Sequence, residues 1–164
     1  MRKFKLNDRL KACADMVGNS KRIIDVGTDH AYLPIWLIMN GKVKYAIASD
    51  INPLPLKKAE NNIEKYNLKG CVQLLMSDGL DAAAPDKVDE IVIAGMGGEL
   101  ISSIISKAPW VAAKRKKLIL QPMSSECDLR TYLYNNKFCI QNEKAVFSSG
   151  KVYTVISAVY TGIS

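Results

Sequence analysis

Short apolar runs alternate along this chain with longer segments in which apolar residues recur at every third or fourth position. The short runs predict β-strands at residues 22–26, 45–49, 71–76, 90–94 and 117–121. The longer segments predict helices at residues 6–17, at 31–39, from Pro53 or Pro55 to about 67, and around 100–108 and 129–133. Strands that alternate with helices in this way are typical of a parallel sheet.

The end of the chain follows a different pattern. A capping box at Ser125 and Asp128 is expected to begin the last helix. Residues 138–147 and 152–160 then predict two strands that are close enough to pair as an antiparallel hairpin. We therefore expect one α/β domain over residues 1–164, with a mostly parallel seven-stranded sheet, a C-terminal antiparallel hairpin and helices on both faces.

Composition restricts the class of protein. The 164 residues are 48% hydrophobic and 24% charged, which fits one soluble globular domain. No apolar run approaches the length of a membrane span, and the first residues lack the hydrophobic core of a secretion signal, so we expect a cytoplasmic protein. Four scattered cysteines and a single histidine argue against a metal site.

The formal net charge of +7 is partly clustered. The basic residues occur at the start of the chain and again at residues 114–117: Arg2, Lys3, Lys5, Arg9 and Lys11, then Lys114, Arg115, Lys116 and Lys117. Such clusters attract a polyanion such as RNA, but a solvated basic surface is an equally good interpretation. We expect the second cluster to be mainly solvated surface, away from the site.

Acidic residues lie at the ends of three successive predicted strands. Asp25 precedes a turn at Gly27, Asp50 follows the second strand, and Asp78 follows the third. Ligands of parallel sheets bind at the carboxyl ends of the strands, where these carboxylates could bind a ribose and an adenine. An adenosine with a positive sulfonium suits them better than a pyrophosphate, which they would repel. Each acid alone is more often a helix N-cap.

A glycine cluster, Gly95-Met96-Gly97-Gly98, follows the fourth predicted strand. It lacks the spacing and the first-strand position of a dinucleotide fingerprint, although a nicotinamide-dependent oxidoreductase stays an alternative. If the fourth strand neighbours the first, the cluster lines the place where a cofactor meets its substrate. Close packing of a helix on the strand could explain one of the glycines.

Three sequence strings carry a family resemblance: Asp25-Val26-Gly27-Thr28-Asp29-His30-Ala31-Tyr32-Leu33-Pro34, Ile93-Ala94-Gly95-Met96-Gly97-Gly98 and Leu118-Ile119-Leu120-Gln121-Pro122. The chain resembles the class I S-adenosylmethionine-dependent methyltransferases and, more narrowly, the bacterial tRNA (adenine-22-N1)-methyltransferase family, TrmK. The resemblance runs from the leading helix to the final hairpin. It implies a Rossmann-like fold and methyl transfer from S-adenosylmethionine to N1 of an adenine in the D-arm of tRNA.

The resemblance also implies roles for single residues. Gly27, Thr28, Asp29 and His30 would face the methionine part of the cofactor, Asp50 would bind its ribose, and Ile51 would pack on its adenine. Asp78 and Gly79 would bind the adenine amine, while Gly95 and Met96 would border the target base. Asp25 completes the predicted cofactor site.

Asp29 is the candidate catalytic residue, because it could accept a hydrogen bond from the target's amino group and take up the surplus proton. A structural cap of the next helix is an equally good interpretation of Asp29. For His30, the alternative is a hydrogen bond inside the turn. Candidates for RNA contacts are Arg9 (phosphate), Tyr32 (stacking, or simple packing), and Gln121 and Pro122 (base edge).

Members of this family usually continue into a C-terminal helical domain, whereas these 164 residues end after the last predicted strand. Either the chain is part of a longer protein, or RNA binding rests on the methyltransferase domain alone. We expect a monomer. A non-catalytic RNA-binding domain that kept the fold stays an alternative to an enzyme.

Overall fold

The structure, a computed structural model, describes residues 4–19 and 21–163. Arg2 and Lys3 of the first basic cluster lie outside the described residues. The strands are β1 (Arg22–Val26), β2 (Tyr45–Asp50), β3 (Val72–Met76), β4 (Glu90–Met96), β5 (Lys117–Pro122), β6 (Phe138–Ser148) and β7 (Lys151–Tyr160). The helices are α1 (Asp8–Met16), α2 (Tyr32–Met39), α3 (Pro53–Lys65), α4 (Gly98–Ser106), α5 (Trp110–Ala113) and α6 (Glu126–Asn135), with a 3-10 turn at Pro85–Lys87.

Within the described residues, the strands form one seven-stranded sheet in the order β3-β2-β1-β4-β5-β7-β6. The first five strands are parallel, and β7 runs antiparallel to both β5 and β6. The predicted fold class is confirmed. Because β1 lies between β2 and β4, their carboxyl ends meet at the crevice where a sheet of this kind binds its ligand.

Consecutive residues of the central strands pack into opposite layers of helices. Ile23 belongs to the core with α1 and α2, whereas Ile24 belongs to the core with α4 and α6. On β4, Val92 belongs to the core with α1 and α2, and Ile91 belongs to the core with α4 and α6. All four side chains are fully buried, as expected for strands covered on both faces. Asp25 follows the same alternation and therefore points toward the layer of α1 and α2.

Two local predictions differ from the structure. The first helix begins at Asp8, because Asn7 adopts an extended backbone and its side-chain oxygen accepts from the Leu10 amide at 2.9 Å. The predicted capping box at Ser125 is wrong, since Ser125 has a left-handed backbone (φ 52°) and its side chain caps nothing. This turn instead packs on α4, where the Gly98 amide donates to the Ser124 carbonyl at 2.8 Å.

Residues 4–19 and 21–163 contain no helix that is both long enough and apolar enough to cross a membrane. The same ranges hold no group of three or more His, Cys, Asp and Glu side chains placed to bind a metal ion. The cysteines are free in this part of the chain, with Cys13 buried and both Cys127 and Cys139 exposed. Burial raises the pKa of Cys13 to about 12, so this thiol stays protonated.

Candidate active site

The turn that joins β1 to α2 forms the centre of the site. Gly27, Asp29 and Ala31 all have a positive φ, of 72°, 55° and 58°. The Thr28 amide donates to the Ser49 carbonyl at 2.8 Å, which holds the turn against β2. Left-handed backbone at Asp29 and Ala31 costs conformational energy, and such strain is characteristic of functional sites.

A cavity of about 340 Å³ opens at this turn, between α1, β1 and the end of β4. Its walls are formed by Asn7, Arg9, Leu10, Asp25, Gly27, Thr28, Asp29, His30, Tyr32, Leu33, Ala94 and Gly95. The structure thus brings together most of the residues predicted for the methionine end of the cofactor and for the substrate. Sequence reasoning missed Asn7, although its place directly before a helix is a capping signal that could have drawn attention to it.

Asp25 is the buried charge of the cavity. This residue is 5% exposed, and its Oδ2 accepts a hydrogen bond from the Thr28 hydroxyl at 2.7 Å. Burial raises the pKa of Asp25 to about 7; the Thr28 hydrogen bond opposes this rise, and the nearby Asp50 carboxylate adds to it. A cation bound in the cavity would favour the ionised carboxylate, so Asp25 suits a positively charged ligand.

Asp50 at the end of β2 is also buried. Its Oδ1 accepts from the Asn52 amide at 3.0 Å and its Oδ2 from the Asp29 amide at 3.3 Å. Each carboxylate oxygen can accept a further hydrogen bond, so both hydroxyls of a ribose could be bound here. The next residue, Ile51, is 55% exposed and offers an apolar surface for a flat base.

The remaining predicted cofactor residues lie along the same edge, outside the walls of the cavity. Asp78 and Gly79 follow β3, and Asp78 is exposed. The adjacent Ser77 amide donates to the Asp50 carbonyl at 3.0 Å, which sets the end of β3 beside the end of β2. Met96 reaches over the turn, because a Cβ on Gly27 would lie 2.4 Å from the Met96 methyl carbon. Carboxylates at the ends of β1 and β2 and after β3, with the apolar surface of Ile51 after β2, fit a positively charged adenosine derivative.

Asp29 projects from the turn, with its side chain 63% exposed. Its Oδ2 lies 2.7 Å from His30 Nδ1, and no side chain in the described part of the chain caps the start of α2. The structural-cap interpretation of Asp29 is therefore wrong, and the expected hydrogen bond of His30 inside the turn is present. The His30 ring stacks on Tyr32 at a centroid distance of 5.2 Å. Tyr32 lies at the cavity wall and is 41% exposed.

Gln121 and Pro122 differ from the expectation that they contact a base edge. Both residues are buried, and Gln121 Oε1 accepts from Arg9 Nη1 at 2.7 Å and from the Gly95 amide at 3.1 Å. Its Nε2 donates to the Pro122 carbonyl at 2.9 Å. Gln121 is therefore a positioning residue that fixes Arg9 at the mouth of the cavity and Gly95 in its wall.

The glycine cluster after β4 divides into two roles. Gly95 lines the cavity with a φ of 81°. Gly98 packs so closely that a Cβ there would lie 2.2 Å from the Ser125 carbonyl oxygen, which confirms the close-packing interpretation for this glycine.

The basic run at residues 114–117 lies at the opposite edge of the sheet from the candidate site, where the parallel strands begin. Lys114 pairs there with Asp86 at 2.8 Å.

A larger cavity, of about 500 Å³, lies away from this chemistry between α3 and the outer strand β3. Both acidic and basic side chains line it, and it contains no predicted site residue. Volume alone therefore does not identify the site, whereas the buried carboxylates and the strained turn do.

Comparisons with known proteins agree with this chemistry. A family model described as a methyltransferase domain matches residues 6–156. The curated tRNA (adenine(22)-N(1))-methyltransferase of Bacillus subtilis is 34% identical over 171 residues, covering 100% of this chain and 72% of that protein.

Two solved structures extend the comparison. The B. subtilis tRNA methyltransferase TrmK superposes with a TM-score of 0.91 at 34% identity, over 98% of this chain and 71% of that one. Streptococcus pneumoniae Sp1610, solved in complex with S-adenosyl-L-methionine, superposes with a TM-score of 0.88 at 38% identity, over 95% and 74%.

Proposed function

This chain belongs to the tRNA (adenine-22-N1)-methyltransferase family, and we propose that it transfers a methyl group from S-adenosylmethionine to N1 of adenine 22 in tRNA. The curated relative with that name and the relative bound to S-adenosylmethionine support this function. The proposal includes the D-arm as the part of tRNA that is recognised, a monomer as the active form and the cytoplasm as its location.

One observation supports the function most strongly. Two buried carboxylates, Asp25 and Asp50, flank a strained turn whose cavity also contains the exposed Asp29. Buried carboxylates suit a cationic adenosine derivative, and the exposed Asp29 suits proton transfer from a base. A dinucleotide would place its pyrophosphate at the turn after β1, beside Asp25 and Asp29, and this repulsion disfavours the oxidoreductase alternative.

S-adenosylmethionine, when bound, supplies a methyl group that its sulfonium charge activates. Gly27, Thr28 and His30 would hold the methionine part, and Asp25 would balance the positive charge. Asp50 would bind the ribose hydroxyls. The adenine would lie on Ile51, with its amine at Asp78 and Gly79.

The chain's own residues then position the target. Gly95 and Met96 border the space for an extruded adenine, and Tyr32 offers a ring on which the base can stack. The N1 lone pair of adenine is nucleophilic, so alignment of this atom with the methyl group does most of the catalytic work. As the N1–C bond would form, the bond from the methyl carbon to sulfur would break and leave its electron pair on the sulfur. Asp29 would then accept the amino-group proton that the cationic methylated base loses.

A transfer assay with labelled S-adenosylmethionine and unmodified tRNA tests this proposal. Asp29→Asn keeps a residue type that tolerates left-handed backbone but removes the proton acceptor. We expect kcat to fall about 100-fold, in the range for loss of a general base. The affinity for S-adenosylmethionine should change little, because Asp50 still accepts from the amide of residue 29.

Asp86→Asn is the matched control, since it neutralises an exposed carboxylate at the opposite edge of the sheet. Its kcat should equal that of the wild type. An Asp29→Asn variant with wild-type kcat would remove Asp29 from the mechanism. Tight binding of tRNA and cofactor without any methyl transfer would favour the non-catalytic RNA-binding alternative.

A further inference from the structure

A second cavity, of about 420 Å³, adjoins the catalytic cavity. The two share Asn7, Leu10 and Tyr32 as a common wall. The rest of its lining comes from the N-terminal segment and from α3: Phe4, Lys5, Leu6, Asn62, Lys65 and Tyr66. We refer to this second cavity as the aromatic cleft.

Three aromatic rings lie next to one another in the cleft. The Phe4 ring lies 5.3 Å from Tyr66 and 5.6 Å from Tyr32, measured between centroids. The ring planes are tilted by 42° and 50°, so the rings form a concave apolar surface and not a closed stack. Tyr66 remains only partly buried. Ring faces of this kind are the surfaces on which proteins stack unpaired nucleobases.

The charged side chains described in the cleft are basic. Lys5 and Lys65 are exposed at its rim, and none of the described residues that line it is Asp or Glu. The Lys65 ammonium lies 5.7 Å from the centre of the Tyr66 ring, so a cation and a stacking surface are adjacent. Aromatic rings beside cations match a nucleotide, which has a flat base and an anionic phosphate.

The cleft is held at a fixed position relative to the catalytic turn. Asn62 on α3 donates through Nδ2 to the His30 carbonyl at 2.9 Å. The same His30 stacks on Tyr32, whose ring faces both cavities. A strand of RNA with one base in the catalytic cavity could therefore place a neighbouring nucleotide in the cleft without any rearrangement of these elements.

We propose that the aromatic cleft binds a nucleotide adjacent to the target adenine in the tRNA substrate, with its base on Tyr66 and its phosphate at Lys65. This inference rests on the proposed function for the identity of the RNA. It assigns the cleft to substrate binding and gives α3 a part in it.

Direct binding of an unmodified tRNA transcript, measured by fluorescence anisotropy at several salt concentrations, tests the cleft. Tyr66→Leu keeps an apolar side chain but removes the ring, and we expect about a tenfold loss of tRNA affinity, in the range for one stacked base. Tyr66→Phe keeps the ring and should bind like the wild type. Affinity for S-adenosylmethionine should stay near the wild-type value in both variants.

Lys65→Gln should weaken tRNA binding and lower the slope of log affinity against log salt by about 1, as expected for one lost phosphate contact. Lys57→Gln is its matched control, because Lys57 lies on the same helix but pairs with Glu60 at 2.7 Å, outside the cleft. The Lys57 variant should keep the wild-type slope.

Wild-type affinity and slope in both Tyr66→Leu and Lys65→Gln would overturn the cleft proposal. Equal losses in Tyr66→Phe and Tyr66→Leu would also overturn it, because stacking would then not be the cause. These binding measurements do not depend on turnover. If the wild type binds the transcript but transfers no methyl group, the proposed function is contradicted. The tRNA affinities of the Tyr66 and Lys65 variants still test the cleft proposal in that case.

Discussion

At the scale of single residues, the buried carboxyl of Asp25 lowers the stability of the fold but favours binding of a positively charged ligand. Its carboxyl is buried with one hydrogen bond from Thr28, and its pKa of about 7 lies well above that of an exposed aspartate. A buried carboxylate among the apolar side chains of Ile23, Ile24 and Val26 is unfavourable for folding. It is useful only when a ligand brings the opposite charge, which is what the proposed cofactor would do.

The pH dependence of stability follows from this pKa. The folded chain binds the Asp25 proton more tightly than the unfolded chain, whose pKa is about 3.9. Stability from Asp25 is therefore fully present below about pH 4 and is lost as the pH rises through the folded-state pKa of about 7.

Asp25→Asn should accordingly stabilise the cofactor-free protein at pH 8 by about 4 kcal/mol, or about 12 °C in Tm, because the folded-state pKa of about 7 lies about three units above the unfolded value. The two proteins should melt at nearly the same temperature at pH 4, where Asp25 is protonated in the folded chain and about half protonated in the unfolded chain. Thermal melts at both pH values measure this difference. Equal Tm values at pH 8 would show that Asp25 has no raised pKa.

The same variant should bind S-adenosylmethionine more weakly, because the amide cannot become negative. Wild-type affinity should increase from pH 6 to pH 8, whereas the affinity of Asp25→Asn should be nearly constant. Calorimetric titration across this range checks the expectation. A variant whose affinity rises with pH as steeply as the wild type would assign the dependence to another group.

At the scale of elements, the site depends on contacts between segments far apart in sequence. Gln121 on β5 holds both Arg9 at the start of α1 and the Gly95 amide at the end of β4. The α4 helix approaches the turn before α6 so closely that only a glycine fits at residue 98. These two contacts set the position of β4's carboxyl end, where the target base is proposed to enter.

Gly98→Ala tests this close approach. A Cβ 2.2 Å from the Ser125 carbonyl oxygen must push α4 and this turn apart, at a cost of about 2 kcal/mol and about 6 °C in Tm. Gly70→Ala is the matched control, since a Cβ there meets nothing within 4 Å, and its Tm should be unchanged or slightly higher. Similar Tm values for both variants would contradict the packing described for Gly98.

Local patterns in the sequence predicted the elements well where burial is uniform. The β1 strand has the predicted bounds, because Ile23, Ile24 and Val26 provide apolar side chains for both covered faces of the sheet. The α5 helix was missed, since Trp110–Ala113 is too short to show helical periodicity. The helix predicted to end near residue 67 includes Tyr66, but the partly buried ring of Tyr66 lines a cavity that depends on the distant Phe4.

The sequence predicted which residues lie at the candidate site better than it predicted the contacts between them. Strand-end acids and the turn could be located because their type and order follow from the topology. The bond between Arg9 and Gln121 spans 112 positions, and no local pattern encodes it. For the same reason Gln121 was interpreted as a base contact, whereas burial gives it a positioning role.

At the scale of the whole molecule, one sheet edge carries all the proposed chemistry. The order of the central strands sets the carboxyl ends of β2, β1 and β4 side by side, and the aromatic cleft continues this surface toward α3. The basic run at residues 114–117 lies at the opposite edge, where Lys114 and Lys117 pair with acidic residues of the chain. The net charge of +7 therefore does not by itself locate the RNA-binding surface.

The most direct test is to locate the methyl group after incubation of this chain with S-adenosylmethionine and an unmodified tRNA that has adenine at position 22. Mass spectrometry of nuclease fragments should find one N1-methyladenine, at position 22, and no methyl group when that adenine is replaced by guanine. A methyl group at another position, equal methylation of the guanine-containing tRNA, or no methyl transfer at any enzyme concentration would contradict the proposed function.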